Sequence, residues 1–170
     1  MVIIMYYLNN FFLFSILGHL FETIIFLVIG SKRKSGFLYL WWTPFYGIGV
    51  LLSIYFDNKL NKFIKRRFVK NIILFFIYLI IFTVLEASGG ILLHFIYKKD
   101  FWNYSKVPFH IGKYVSLPTS LFWAFFSFIY LKFIRKFSDK VVSKIPKFIT
   151  FILSIIFIGD VIISFFKAFN

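Results

Sequence analysis

Five apolar runs, each long enough to cross a bilayer as a helix, dominate the chain: residues 3–29, 37–56, 71–97, 115–134 and 148–166. A transmembrane helix needs about 20 such residues. The runs are continuous rather than alternating, which selects helices over a barrel. Hydrophobic residues make up 61% of the 170 and charged residues only 15%. A soluble domain of this size has too little interior for that much apolar surface. The expected fold is all-α: a polytopic transmembrane helix bundle of about five spans, one integral membrane domain over residues 1–170, multi-pass in the cell membrane. The first run has no basic n-region and is too long for a signal h-region, so it reads as a span that stays. The 28 Phe residues serve as lipid-facing bulk. With no cysteine, disulfides, thiolate metal sites and thiol catalysis are excluded.

The connectors hold nearly all the charge. SKRKS follows the first run, DNKLNKFIKRRFVK the second, YKKDFWNYSKVPFHIGK the third and KFIRKFSDKVVSKIPK the fourth. The second and fourth connectors fall on one side and hold twelve of the 20 Lys and Arg, against eight elsewhere. The positive-inside rule places them, and the N-terminus, in the cytoplasm. Both connectors are also amphipathic: Leu60, Phe63, Ile64 and Phe68 share one helical face, as do Phe133, Phe137, Val141 and Ile145. Interfacial helices of this kind bind anionic lipid headgroups. The net charge of +14 therefore reflects membrane topology, and no nucleic-acid module is present.

Polar groups inside the runs mark the bundle interior, because a carboxylate at bilayer centre costs about 3 kcal/mol on insertion scales. Glu22 has His19 three positions before it, on the same helical face. Glu86 lies in the third run and Asp160 in the fifth. Glu22 and Glu86 admit three readings: a protonatable or cation-binding pair, a metal site with His19, or structural acids hydrogen-bonded to neighbouring helices. His19, His94 and His110 lack tight ligand spacing, so no metal and no other cofactor is expected.

Two further stretches stand out. In GFLYLWWTPFYGIG, Trp41 and Trp42 suit an interfacial belt if a helix begins near Phe37. Pro44 interrupts the backbone ladder there, and Gly47 and Gly49 permit close helix approach. The stretch reads either as a half-helix or re-entrant start, or as an ordinary Pro-kinked packing helix. In FWNYSKVPFHIG, residues 101–112, aromatic rings sit at headgroup depth, Asn103 and Ser105 tie down turn backbone, and Pro108 and Gly112 fix the path. It reads as an ordered cap over the bundle end, covering a cavity walled by Glu22 and Glu86.

Several patches occur in an order that resembles a known family. They are Gly18 to Glu22, GFL at Gly36, TPFYGIG from Thr43, LEAS from Leu85, WNYSKVPF from Trp102, and a helix carrying Ser120 and Trp123. The pattern is similar to that of the bacterial ABC-transporter type IV membrane protein family. Its elements are a G-W-x-x-E first helix, a G-F-L…P-I-Y-G-x-G second, an L-E…S third, and a W-x-Y-S…P…G loop. The resemblance covers most of residues 15–125. His19 stands where the pattern has Trp, Phe45 where it has Ile, and His110 where Asn is frequent. The resemblance implies a permease-like membrane component whose candidate cavity, substrate or ion contacts are Glu22, Glu86, His19, Tyr46, Trp102, Tyr104, Ser105 and His110.

No GxxxxGK[ST] phosphate loop occurs in the 170 residues, so ATP-driven transport needs a separate nucleotide-binding subunit. Five spans are few for a complete pathway, so a homo-oligomer or hetero-complex is expected. A structural or regulatory subunit is the alternative. A lipid-acting enzyme is a weaker third: no GxSxG or HExxH is found, and no catalytic residues are assigned.

Overall fold

The computed structural model describes residues 2–169. Among the described residues, six α-helices and one small hairpin make the fold: α1 (Val2–Val28), α2 (Pro44–Phe63), α3 (Arg67–Tyr97), β1 (His110–Ile111), β2 (Val115–Ser116), α4 (Leu117–Ile129), α5 (Arg135–Val142) and α6 (Lys147–Phe169). A π turn, Tyr130–Ile134, joins α4 to α5. Four stretches are long and apolar enough to cross a membrane: Ile3–Val28, Arg67–Tyr97, Leu117–Val142 and Lys147–Ala168. The protein is therefore all-α with transmembrane helices.

The second apolar run departs from expectation. Residues 37–43 are not helical, and the helix begins at Pro44. Proline suits that first position, since its missing N–H would have no intrahelical partner. It therefore opens a helix and does not kink one. The helix then runs on to Phe63, into the basic connector. That connector is not one amphipathic helix either: residues 64–66 separate α2 from α3. Lys70 bridges the gap by pairing with Asp57 at 2.7 Å. On the other amphipathic stretch, Phe133 and Phe137 are exposed, while Ile145 lies beyond α5.

Contacts divide the chain into two compact units. One holds residues up to Leu51 together with those from Arg135 onward; the other is Leu52–Ile134. In the first, α1 and α6 run parallel. Near their starts the Thr150 hydroxyl donates to Asn9 Oδ1 at 2.6 Å. Toward their other ends both hold the segment 35–43. The Asn9 amide also donates to Val142 O at 3.1 Å, and Tyr6 donates to Asp139 at 2.7 Å, which seats α5. Phe12, Leu38 and Trp42 form the core, with Phe157 packed against it.

In the second unit α3 packs on α4 through Leu74, Tyr78, Phe82 and Ala124. The Phe82 and Trp123 rings stack at 6.3 Å. The hairpin is antiparallel, pairing His110 with Ser116 and Ile111 with Val115. Its second strand runs straight into α4, where Ser116 caps the helix by accepting from Thr119 N.

Gly47 illustrates how tightly α1 and the start of α2 meet. A Cβ there would overlap Ser15 Oγ and stand 2.6 Å from Phe11 O. Gly159, in α6, has nothing within 4 Å of the same position. Alanine at the two sites should therefore act in opposite directions. Gly47→Ala should lower the thermal midpoint of the detergent-solubilised protein, at a cost of about 1–3 kcal/mol for overpacking. Gly159→Ala should be neutral or raise it, by up to about 1 kcal/mol of helix propensity.

Candidate functional site

The chemistry-bearing residues gather in two clusters, one in each unit. The first is built on residues 35–43, a non-helical segment lying against two apolar helices. Such backbone needs partners for its N–H and C=O groups, and side chains supply several of them. Asp160 Oδ1 accepts from Tyr39 N at 3.1 Å and Oδ2 from Leu40 N at 3.0 Å. Ser164 donates to the same carboxylate at 3.3 Å. The Lys34 ammonium donates to Leu38 O at 2.8 Å and Tyr39 O at 3.1 Å. Thr43 N donates to Ser15 O at 3.0 Å.

Glu22 closes the other end of this segment. Ser35 Oγ donates to Glu22 Oε2 at 2.6 Å, and the Gly36 backbone N–H donates to the same carboxylate. The Ser35 and Thr43 hydroxyls lie 2.9 Å apart, extending a hydrogen-bonded chain from Glu22 toward α2. His19 is buried, and its Nδ1 has no hydrogen-bond partner among the described residues. The same holds for Ser15 Oγ and Trp42 Nε1. The Tyr46 ring sits directly on Gly18 and meets Phe21 edge-on at 6.4 Å.

The second cluster surrounds Glu86, which is 6% exposed. Oε1 accepts from Tyr104 OH at 3.1 Å and from Trp123 Nε1 at 3.0 Å. Oε2 lies 3.1 Å from Thr119 Oγ1. That hydroxyl is also 2.9 Å from Ser116 O, and its single proton serves one acceptor at a time. One carboxylate on α3 thus ties down the loop, through Tyr104, and the first turns of α4.

The remaining cap residues hold the loop rather than the acid. Trp102 Nε1 donates to Tyr114 O at 3.1 Å, and Tyr104 N to Lys113 O at 2.7 Å. Asn103 Oδ1 accepts from Ser105 N at 2.8 Å, an Asx turn. Ser105 and His110 are exposed, and His110 Nδ1 meets Gly112 O at 3.0 Å. Of the sequence candidates, Tyr104 and Glu86 meet directly. Glu22, His19 and Tyr46 belong to the other unit, where Glu22 has its own donors. Asp160 with Tyr39 and Leu40, Ser35, and Thr119 were not anticipated as parts of a site. The only available signal was acids in apolar runs, because their acceptor role is to backbone and hydroxyl groups far away in sequence. No group of three or more His, Cys, Asp or Glu placed to hold a metal occurs among the described residues.

Gln at position 86 separates charge from shape. Its carbonyl can take the place of Oε1 and keep Tyr104 and Trp123, while Thr119 turns to Ser116 O. Glu86→Leu removes the acceptor shared by two half-buried donors, at about 1 kcal/mol each. The expected order of thermal midpoints is wild type at or slightly above Glu86→Gln, and both well above Glu86→Leu.

At the outer end of the loop, Asp100 takes Tyr114 OH at 2.6 Å, His94 Nδ1 at 2.7 Å and Lys113 Nζ at 3.4 Å. The Tyr114 ring seats on Gly90, where any side chain would overlap it. The hydrogen bond from Tyr114, followed by those from His94 and Lys113, holds the Asp100 carboxyl below its ordinary 3.8. The same bond pushes the Tyr114 hydroxyl up to about 12. A depressed acid stabilises the fold above its unfolded pKa and loses that contribution as pH falls through the folded one. A raised phenol contributes below 10 and loses its contribution on the way to 12. Limited proteolysis of residues 98–116 should therefore be slow across the neutral range. It should accelerate only below pH 3.8 or above pH 10, and Asp100→Asn should remove the acid limb.

A family model described as "Putative ABC-transporter type IV" matches residues 9–169. No curated protein and no solved structure matches the chain. The matched stretch contains Glu22, residues 35–43, Glu86, the 98–116 loop and Asp160, so it takes in both clusters whole. The chain, from its first span to its last, belongs to the ABC-transporter type IV family.

Proposed function

We propose that this protein is the permease-like membrane component of an ABC-type transporter and works with a separate nucleotide-binding subunit. The observation that carries the reading is Asp160, 5% exposed within α6, accepting two successive backbone N–H groups of a non-helical segment. Non-helical backbone beside membrane spans is tolerated where protein groups satisfy it, and transporters place such breaks at their solute sites. Family membership supports the assignment to an ABC-type system. No GxxxxGK[ST] run occurs in the 170 residues, which supports a separate nucleotide-binding subunit. The exposed Phe133 and Phe137, flanked by Lys132, Lys136 and Lys140, would rest among anionic headgroups.

A structural or regulatory subunit is the second reading. Glu86 favours it, because Tyr104 and Trp123 already donate to that carboxylate and Thr119 lies within reach of it.

A tagged copy purified in mild detergent from its native host separates the two. The permease reading expects a stoichiometric ATPase subunit to co-purify, and Asp160→Asn to impair solute movement more than it impairs assembly. Isolation of the chain without any ATPase, with Asp160→Asn lowering only thermal stability, would overturn it.

A further inference from the structure

We propose that residues 35–43 and α2 form one discontinuous membrane crossing. At the break lies a hydrated site for a small neutral hydrogen-bonding solute, with water as its simplest occupant, built from Ser15, His19 and the first turn of α2.

The crossing follows from parity. α1 and α6 run parallel, joined by Asn9 and Thr150 near their starts and by the 35–43 segment farther along. A chain leaving α1 at one membrane face must return to the opposite face to begin α6. An odd number of crossings must lie between them. α3 and the helix Leu117–Val142 supply two, and the stretch from residue 35 to the end of α2 supplies the third. Its helix is too polar toward Asp57, Lys59 and Lys62 to stand out by composition.

The break lies deep in this crossing. Thr43 N bonds to Ser15 O, and Gly47 faces Ser15 and Phe11, all near the middle of α1. α2 therefore begins beside the centre of a spanning helix, with the positive end of its dipole pointing into the interior. A second, independent observation points to an occupant. Ser15 is 0% exposed and its Oγ lies against Gly47 in that first turn, without a hydrogen-bond partner. His19, one turn along the same face and 5% exposed, has an unpartnered Nδ1. Trp42, whose ring packs on Phe12 at 5.8 Å, has an unpartnered Nε1. Buried polar atoms left over in this way are ordinarily satisfied by internal water.

The chemistry favours a neutral solute. A hydroxyl and a neutral imidazole each donate or accept, and the indole donates. The nearby charges are committed: Glu22 to Ser35 and Gly36, Lys34 to two carbonyl oxygens. An ion would enter without a free countercharge. As a station on a solute path the site rests on the permease reading. The experiment below reads water access and sidedness only, so either idea can fail without the other.

The chain has no cysteine, so single-Cys variants of the full protein give an unambiguous signal. The probes are a small neutral, water-soluble methanethiosulfonate for positions 15, 17, 19 and 20, and a charged, membrane-impermeant one, applied to vesicles of each orientation, for positions 34 and 59. Ser15→Cys and His19→Cys should react at least tenfold faster than Leu17→Cys and Leu20→Cys, which lie on the outward face of α1. Lys34→Cys and Lys59→Cys should react from opposite membrane faces. Hydroxyl-radical labelling of the unsubstituted protein, which marks side chains beside bound water, should modify His19 and Trp42 above the equally buried Phe12. Rates at positions 15 and 19 no faster than at 17 and 20, or no labelling of His19 and Trp42, would overturn the hydrated site. Reaction of Lys34→Cys and Lys59→Cys from the same face would overturn the crossing.

Discussion

Hydrocarbon offers no hydrogen bonds, so every backbone N–H placed beside a spanning helix must find its partner in the protein. The unit built from α1, residues 35–43 and α6 depends on how that constraint is met. Tyr39 and Leu40 have non-helical amides that no helix ladder absorbs, and Asp160 takes both. Glu22 takes Gly36 and the Ser35 hydroxyl, and Lys34 supplies protons to the carbonyl oxygens of Leu38 and Tyr39. Each unsatisfied group would cost several kcal/mol, so the acids of α1 and α6 make the segment possible. The segment in turn carries Leu38 and Trp42 into the core beside Phe12 and Phe157.

The same logic organises the other unit with different chemistry. There one carboxylate, Glu86, gathers side-chain donors instead of backbone ones. Tyr104 comes from the loop, Thr119 from the first turn of α4 and Trp123 from its second turn. A loop of Ser, Gly and Asn alone could not reach into α3 in this way. The aromatic content of residues 101–114 is therefore positional. Trp102 and Tyr104 tie the loop to itself and to Glu86, while Tyr114 packs on Gly90 and binds Asp100. Each carboxylate accepts from the non-helical chain it orders, so a carboxylate that loses its donors releases that chain.

Much of this was legible in the sequence. Unbroken apolar runs of about 20 residues force helices in a membrane, and acids within them must face inward. Glu22, Glu86 and Asp160 were visible as buried polar groups, and Pro44 with Gly47 marked an irregularity. The irregularity itself was misplaced. Residues 37–43 are as apolar as a helix, and composition cannot distinguish a helical turn from an irregular segment whose amides are satisfied elsewhere. Likewise the charged stretch after α2 shows helical periodicity, yet the chain breaks at 64–66.

The sequence by itself determined the medium, the helix class and the presence of acids inside the apolar runs. Each follows from local composition and the cost of moving polar atoms into hydrocarbon. Only the tertiary structure decided which partners those groups take: Asp160 with amides about 120 residues away, Glu86 with a tyrosine, a threonine and a tryptophan, and Ser15 Oγ and His19 Nδ1 with none among the described residues. Partner choice is a matter of distance and direction to within a few tenths of an ångström. Those quantities exist only once the helices have packed.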